Sequence, residues 1–105
     1  MSQLIKKEKD FLRLLLNTTD KQKKSLLESI EKPQLKAIVQ IAYNILLGHR
    51  SLAEKDKKRL ARRKTVIRQF VSKGISLRKR KELLLKHFRY ILPLIDVVKS
   101  ELLNS

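Results

Sequence analysis

The sequence predicts an all-α protein, a compact bundle of five or six helices with a long, strongly basic fourth helix. Three observations carry that expectation. Of the 105 residues 42% are hydrophobic, and they recur at helical spacing along most of the chain, enough for a modest core. Two Gly and two Pro are too few for the many tight turns of an all-β fold. Cys is absent, so no disulfide framework or thiolate metal site organises the chain. A chain of this size accommodates one domain, expected over residues 1–105.

The first helix is expected from Leu4 to Leu16, with Phe11, Leu12, Leu15 and Leu16 inward. Asn17-Thr18-Thr19-Asp20 then offers short oxygen-bearing side chains of the kind that satisfy free amides at a helix start. A second helix should follow from Asp20 to Glu31, burying Leu26, Leu27 and Ile30. Pro33 suits the first turn of a third helix, where no N–H is needed. That helix, Pro33 to Leu47, is apolar nearly all round and is therefore the central one; Tyr43 and Asn44 are placed at its edge. Gly48 and Gly74 are positioned to end helices in a left-handed conformation.

Ser51-Leu52-Ala53-Glu54 matches a capping box for the fourth helix, which runs to Ser72, about 30 Å at 1.5 Å per residue. Its inward face carries Leu52, Leu60, Ile67, Phe70 and Val71. Ser76 caps a fifth helix beginning at Leu77, with Leu77, Leu84, Phe88 and Ile91 inward. Pro93 lacks a donor and clashes one turn back. A kink or break is therefore expected between Tyr90 and Pro93, then a last helix over residues 91–103.

The charge is concentrated. Twenty-six Lys and Arg against ten Asp and Glu give +16, of which residues 1–48 carry +4, residues 49–90 +13, and residues 91–105 −1. On the fourth helix Lys57, Lys58, Arg62, Lys64 and Arg68 point away from the apolar stripe. Lys55, Arg59 and Lys73 run along one flank, and Arg63 borders the stripe. Arg78, Lys79, Arg80, Lys81, Lys86 and Arg89 surround the apolar stripe of the fifth helix. A merely solvated helix face mixes signs, whereas Glu54, Asp56 and Glu82 are the sole acids across residues 49–90. Such self-repulsion opposes folding unless a polyanion relieves it. These fifteen cations are the candidate nucleic-acid-binding residues, and their contacts with phosphates should depend strongly on salt.

Residues 70–77 resemble the turn of a helix-turn-helix, which makes sequence-specific DNA binding an alternative. Reading bases requires Asn, Gln and Arg in mixture, and Arg78 to Lys81 instead suit phosphates. Sequence-nonspecific binding is expected, with double-stranded DNA favoured. No aromatic sheet motif or GxxG loop points to an RNA module. Phe11, Tyr43, Phe70 and Phe88 fall on apolar stripes; Tyr90 is placed either to stack a base or to edge the core. His49 and His87 belong to no ligand motif, Glu28 and Glu31 form an ordinary surface pair near Lys, and there is no phosphate-binding Gly loop. The expectation is a non-enzymatic protein with no cofactor or metal.

A second functional reading is an interaction module. In it Ile91, Leu94, Ile95, Val98 and Leu102 on the tail helix form an exposed contact for an acidic protein or a second copy of the chain. Membrane binding is disfavoured: the longest uncharged run, Ala37 to His49, is too short to span a bilayer, and there is no Trp to anchor an interfacial helix. Residues 1–10 lack the apolar centre of a signal peptide, so an intracellular protein is expected. Lys57-Lys58-Arg59 and Arg78-Lys79-Arg80-Lys81 have the form of nuclear localisation runs.

Three features in order carry a family resemblance. Asn44 to Gly48 reads N-x-L-x-G at the end of an apolar helix, Lys55 to Lys64 is a lysine-rich helix, and Lys73 to Leu84 reads K-x-x-S-L, four basic residues, x-L-L. Over about residues 12–92 the chain resembles the short basic proteins encoded beside capsid genes in Polinton/Maverick-type elements and adintoviruses. Where those proteins commonly continue with a Gly-rich segment, this chain has His87-Phe88-Arg89-Tyr90. The resemblance implies a minor virion or core protein that accompanies or condenses a DNA genome, in the host nucleus or the virion. It implies no catalytic residues.

Overall fold

Short polar side chains open several of the helices in the computed structural model, which describes residues 2–48, 52–99 and 102. Ser2 starts α1 (Gln3–Lys7), its hydroxyl accepting from the Ile5 amide at 3.2 Å and donating to the Gln40 side-chain oxygen at 3.3 Å. Glu8 then leaves helical geometry (φ −100°, ψ 15°) before α2 (Lys9–Leu16). The expected first helix is therefore two segments with a joint of one residue. Thr19 is the cap among the four candidates. Its hydroxyl accepts from the Gln22 amide, and the Gln22 side chain accepts from the Thr19 amide, which opens α3 (Asp20–Glu28). Helix α4 (Lys32–Leu46) follows, with Pro33 in its first turn and the Glu31 amide bonded to the Gln34 side chain at 2.9 Å. Gly48 ends it at φ +79°, donating to the Ile45 carbonyl at 3.0 Å, as a left-handed cap requires.

The fourth helix differs from expectation at both its start and its middle. Its first segment, α5 (Glu54–Arg62), takes Ala53 as N-cap with no side-chain bond; the Ala53 carbonyl accepts from the Asp56 and Lys57 amides. The Ser51 box is thus not the start, and Ser51 itself lies outside the described residues. Glu54 and Asp56 stand in the first turn, where their charge complements the helix dipole in place of a cap. Arg63 (φ −117°, ψ 16°) separates α5 from α6 (Lys64–Val71), its N–H shared between the Arg59 and Leu60 carbonyls at 3.2 Å. The joint falls where burial changes. α5 buries no residue, whereas α6 buries Ile67, Phe70 and Val71.

Ser72, not Gly74, makes the next turn. Ser72 is extended (φ −62°, ψ 135°), and Gly48 is the glycine that takes positive φ; the Gly74 amide donates to the Ser72 hydroxyl at 3.3 Å. Ser76 caps α7 (Leu77–Ile91) by accepting from the Lys79 amide at 3.1 Å, as expected. The irregular residue of this helix is His87 (φ −122°, ψ 22°), ahead of the Tyr90–Pro93 stretch. Pro93 itself opens α8 (Pro93–Asp96) at a first helical position, where its missing donor costs nothing. The chain continues through it by tightened bonds one residue shorter than α-helical, Ile95 to Leu92 at 2.9 Å and Val98 to Ile95 at 3.0 Å.

Counting across the one-residue joints, the eight segments described form five rods, with no strand among the described residues. α4 is the centre: it touches α1, α6, α7 and α8, and buries Leu35, Ala37, Ile38, Ile41, Ala42 and Ile45. Tyr43 is not part of that interior; it is exposed at the edge. Among the described residues no helix is long and apolar enough to cross a membrane, and no group of acidic or imidazole side chains is placed to hold a metal.

The tail residues expected to face a partner are buried. Ile91, Leu94, Ile95, Val98 and Leu102 range from 0% to 7% exposed. Their spacing of three and four residues makes one continuous stripe, and α8 lays it against α2 and α4. The Arg13 guanidinium Nε donates to the Leu102 carbonyl at 2.7 Å, fastening the end of this stripe to α2. These five side chains therefore close the core of their own chain and present no docking face.

Candidate nucleic-acid interface

Thirteen of the fifteen cations expected to meet nucleic acid are exposed: Lys55, Lys57, Lys58, Arg59, Arg62, Arg63, Lys64, Arg68, Lys73, Arg78, Lys79, Lys86 and Arg89. The other two are half-buried and tied to the protein's own backbone. Arg80 donates through Nη2 to the Ser72 carbonyl, its Nε buried without a partner. Lys81 donates to the Glu28 carbonyl at 2.6 Å, placing an ammonium on the negative end of α3. These two side chains brace α7 against the preceding turn and against α3.

Tertiary packing brings seven of the thirteen, Arg59, Arg62, Arg63, Arg68, Lys79, Lys86 and Arg89, to three clefts, which Lys55, Lys57, Lys58, Lys64, Lys73 and Arg78 do not line. An open cleft of 580 Å³ between α6 and α7 has Arg68, Lys79, Lys86 and His87 in its lining, beside Thr65, Gln69, Ser72, Ile75 and Leu83. A second, of 470 Å³ between α3 and α7, is lined by Asp20, Lys21, Lys24, Lys86, Phe88, Arg89 and Tyr90. A third, of 370 Å³ between α5 and the end of α7, is lined by Arg59, Arg62, Arg63, Arg89, Tyr90 and Pro93. Lys86 is common to the first two, and Arg89 and Tyr90 to the last two, so the clefts adjoin. Lys21 and Lys24 join the site although nothing in the sequence places them there. Their charge is locally offset by Asp20 and Glu28, and α3 reaches the basic helices through the fold alone.

Few carboxylates answer these charges. Glu54 lies 3.6 Å from Lys57, Glu82 is shared by Arg78 at 3.8 Å and Lys79 at 3.9 Å, and Asp20 lies 3.9 Å from Arg89. Exposed pairs at such distances contribute little. Among the described residues no carboxylate is within ion-pair distance of Lys58, Arg59, Arg62, Lys64, Arg68 or Lys86. Arg63 instead lays its guanidinium over the Tyr90 ring, 3.8 Å from the centroid. Tyr90 is thereby exposed and stacked rather than built into the core edge. His87, at the irregular turn of α7, is held below the ordinary imidazole pKa by burial first, then by Lys86 and Arg63.

The two helices either side of Ser72–Ser76 pack on each other, in the manner of a helix-turn-helix. Of the four basic residues near the start of the second helix, however, Arg80 and Lys81 are occupied internally, and Arg78 and Lys79 stand beside Glu82. No family model, curated protein or solved structure matches this chain.

Proposed function

We propose that the protein binds double-stranded DNA through its phosphates, without reading sequence and without catalysing a reaction. The observation that carries this is the adjoining set of clefts from α6 across α7 to α3 and α5, lined by cations with few acids to neutralise them. Like charges held together by a rigid core attract a polyanion and release its counterions. The molecule measures 32 × 32 × 26 Å, so one copy covers about one turn of duplex, roughly 34 Å. Engagement of Arg80 and Lys81 with backbone carbonyls favours phosphate positioning over base reading. Genome packaging or a place in a virion core, the role implied by the resemblance to proteins encoded beside capsid genes, needs nothing more specific than this.

Fluorescence anisotropy with labelled duplexes of unrelated sequence, titrated across salt concentrations, tests the reading. With about eight phosphates neutralised, log K should fall with log salt at a slope near −7. Duplexes of different sequence should bind within a small factor of one another. A flat salt response, or strong preference for one sequence, overturns the proposal.

A further inference from the structure

The cleft between α5 and the end of α7 differs from the other two basic clefts. Its lining holds four arginines, a tyrosine and a proline, with no acid. Tyr90 remains 43% exposed even with the Arg63 guanidinium 3.8 Å from its ring centroid, and the His87 ring stands 6.4 Å away at a tilt of 38°. At 370 Å³ the cleft is in the size range of small-ligand sites, about 300–1,000 Å³. Phosphate alone needs no aromatic ring, and a purely apolar ligand needs no arginines. A flat aromatic group carrying a negative charge uses both.

A base inside a duplex is stacked and paired, and exposing it costs a few kcal/mol. An unpaired base carries no such cost, and it stacks on Tyr or on a guanidinium plane whatever its identity. Resting on the nucleic-acid reading above, we infer that this cleft holds one unpaired nucleotide, its base against Tyr90 and its phosphate among Arg59, Arg62 and Arg89. The protein therefore prefers DNA with a single-stranded end or gap over blunt duplex. Arg63 serves as a movable cover: it occupies the ring in the free protein and is free to shift onto the incoming base or its phosphate.

The test compares a blunt duplex with the same duplex bearing a short overhang that carries aminopurine at its first unpaired position. The overhang should bind about 5- to 150-fold more tightly, the effect of one base stack, and the aminopurine fluorescence should be quenched on binding. Tyr90→Ala should bring the overhang down to the affinity of the blunt duplex and remove the quench, and Tyr90→Phe should retain both. The quench needs no variant, so the inference can be judged even if a substitution impairs folding. Equal binding of the two probes, a preference without quenching, or a parallel loss on both probes in a folded Tyr90→Ala protein overturns the inference and leaves duplex binding standing. Failure of the blunt duplex to bind at all overturns the underlying reading instead.

Discussion

Basic residues of the same band do different work, and substitution separates them. Arg80 is committed to the Ser72 carbonyl and carries a buried Nε, whereas Lys64 on α6 is exposed and unpaired by any carboxylate among the described residues. Arg80→Ala should cost roughly 1–2 kcal/mol in urea unfolding, since it removes a charge-assisted bond to backbone. Lys64→Ala should leave stability unchanged and lower the salt slope of DNA binding by about one. His87 adds a pH dependence with a definite sign. Burial, Lys86 and Arg63 lower its pKa in the folded protein, so the folded state resists protonation that the unfolded state accepts. Its contribution to stability is full above the ordinary value of about 6.5 and is lost as pH falls through the lowered one. Unfolding measured from neutral pH downward should show stability declining below about 6.5, and His87→Gln should flatten that decline. None of this is legible in the sequence, where Arg80 and Lys81 are indistinguishable from Arg78 and Lys79. Which of four consecutive cations meets a carbonyl depends on where α3 and the Ser72 turn lie.

Helices are more legible than their joints. Periodicity locates each rod, because burying an apolar stripe is what forms it. Glu8, Arg63 and His87 carry no sequence mark comparable to Gly or Pro, so the interruptions there follow from packing. α5 shows the reason: a helix with no buried residue need not keep the direction of α6, which is held by Ile67, Phe70 and Val71. The two glycines make the point testable. Gly48 sits at φ +79°, so Gly48→Ala should destabilise by about 1 kcal/mol in spite of open space around it. Gly74 has no positive φ, and a Cβ there meets nothing nearer than the Ser72 hydroxyl at 3.9 Å. Gly74→Ala should be neutral or stabilise by roughly 0.4–1 kcal/mol, through a less flexible unfolded chain. Thermal unfolding of the two variants side by side decides it.

For the whole molecule, the excess of charge and the apolar core are two sides of the same helices. The sequence shows that much, and places the basic face over residues 49–90. It does not show that α3 contributes Lys21 and Lys24, or that the tail stripe turns inward. An amphipathic tail helix looks the same in sequence whether it covers its own core or another protein's. In the fold Ile95 is 1% exposed, and Ile95→Ala should cost about 2–5 kcal/mol, a large fraction of the roughly 5–15 kcal/mol expected of a domain. Calorimetry should show the loss as a lower Tm, with sedimentation unchanged.

The bond from Arg13 to the Leu102 carbonyl joins positions 89 apart in the chain, and this has a consequence for synthesis on the ribosome. The basic helices are translated before the segment that seals the core beneath them. A nascent chain stalled before Ile91 would carry its full complement of exposed cations on an unfinished interior, beside the RNA of the machine producing it. Completion of the interior therefore waits on the last stretch of chain to be made, the one that follows α7.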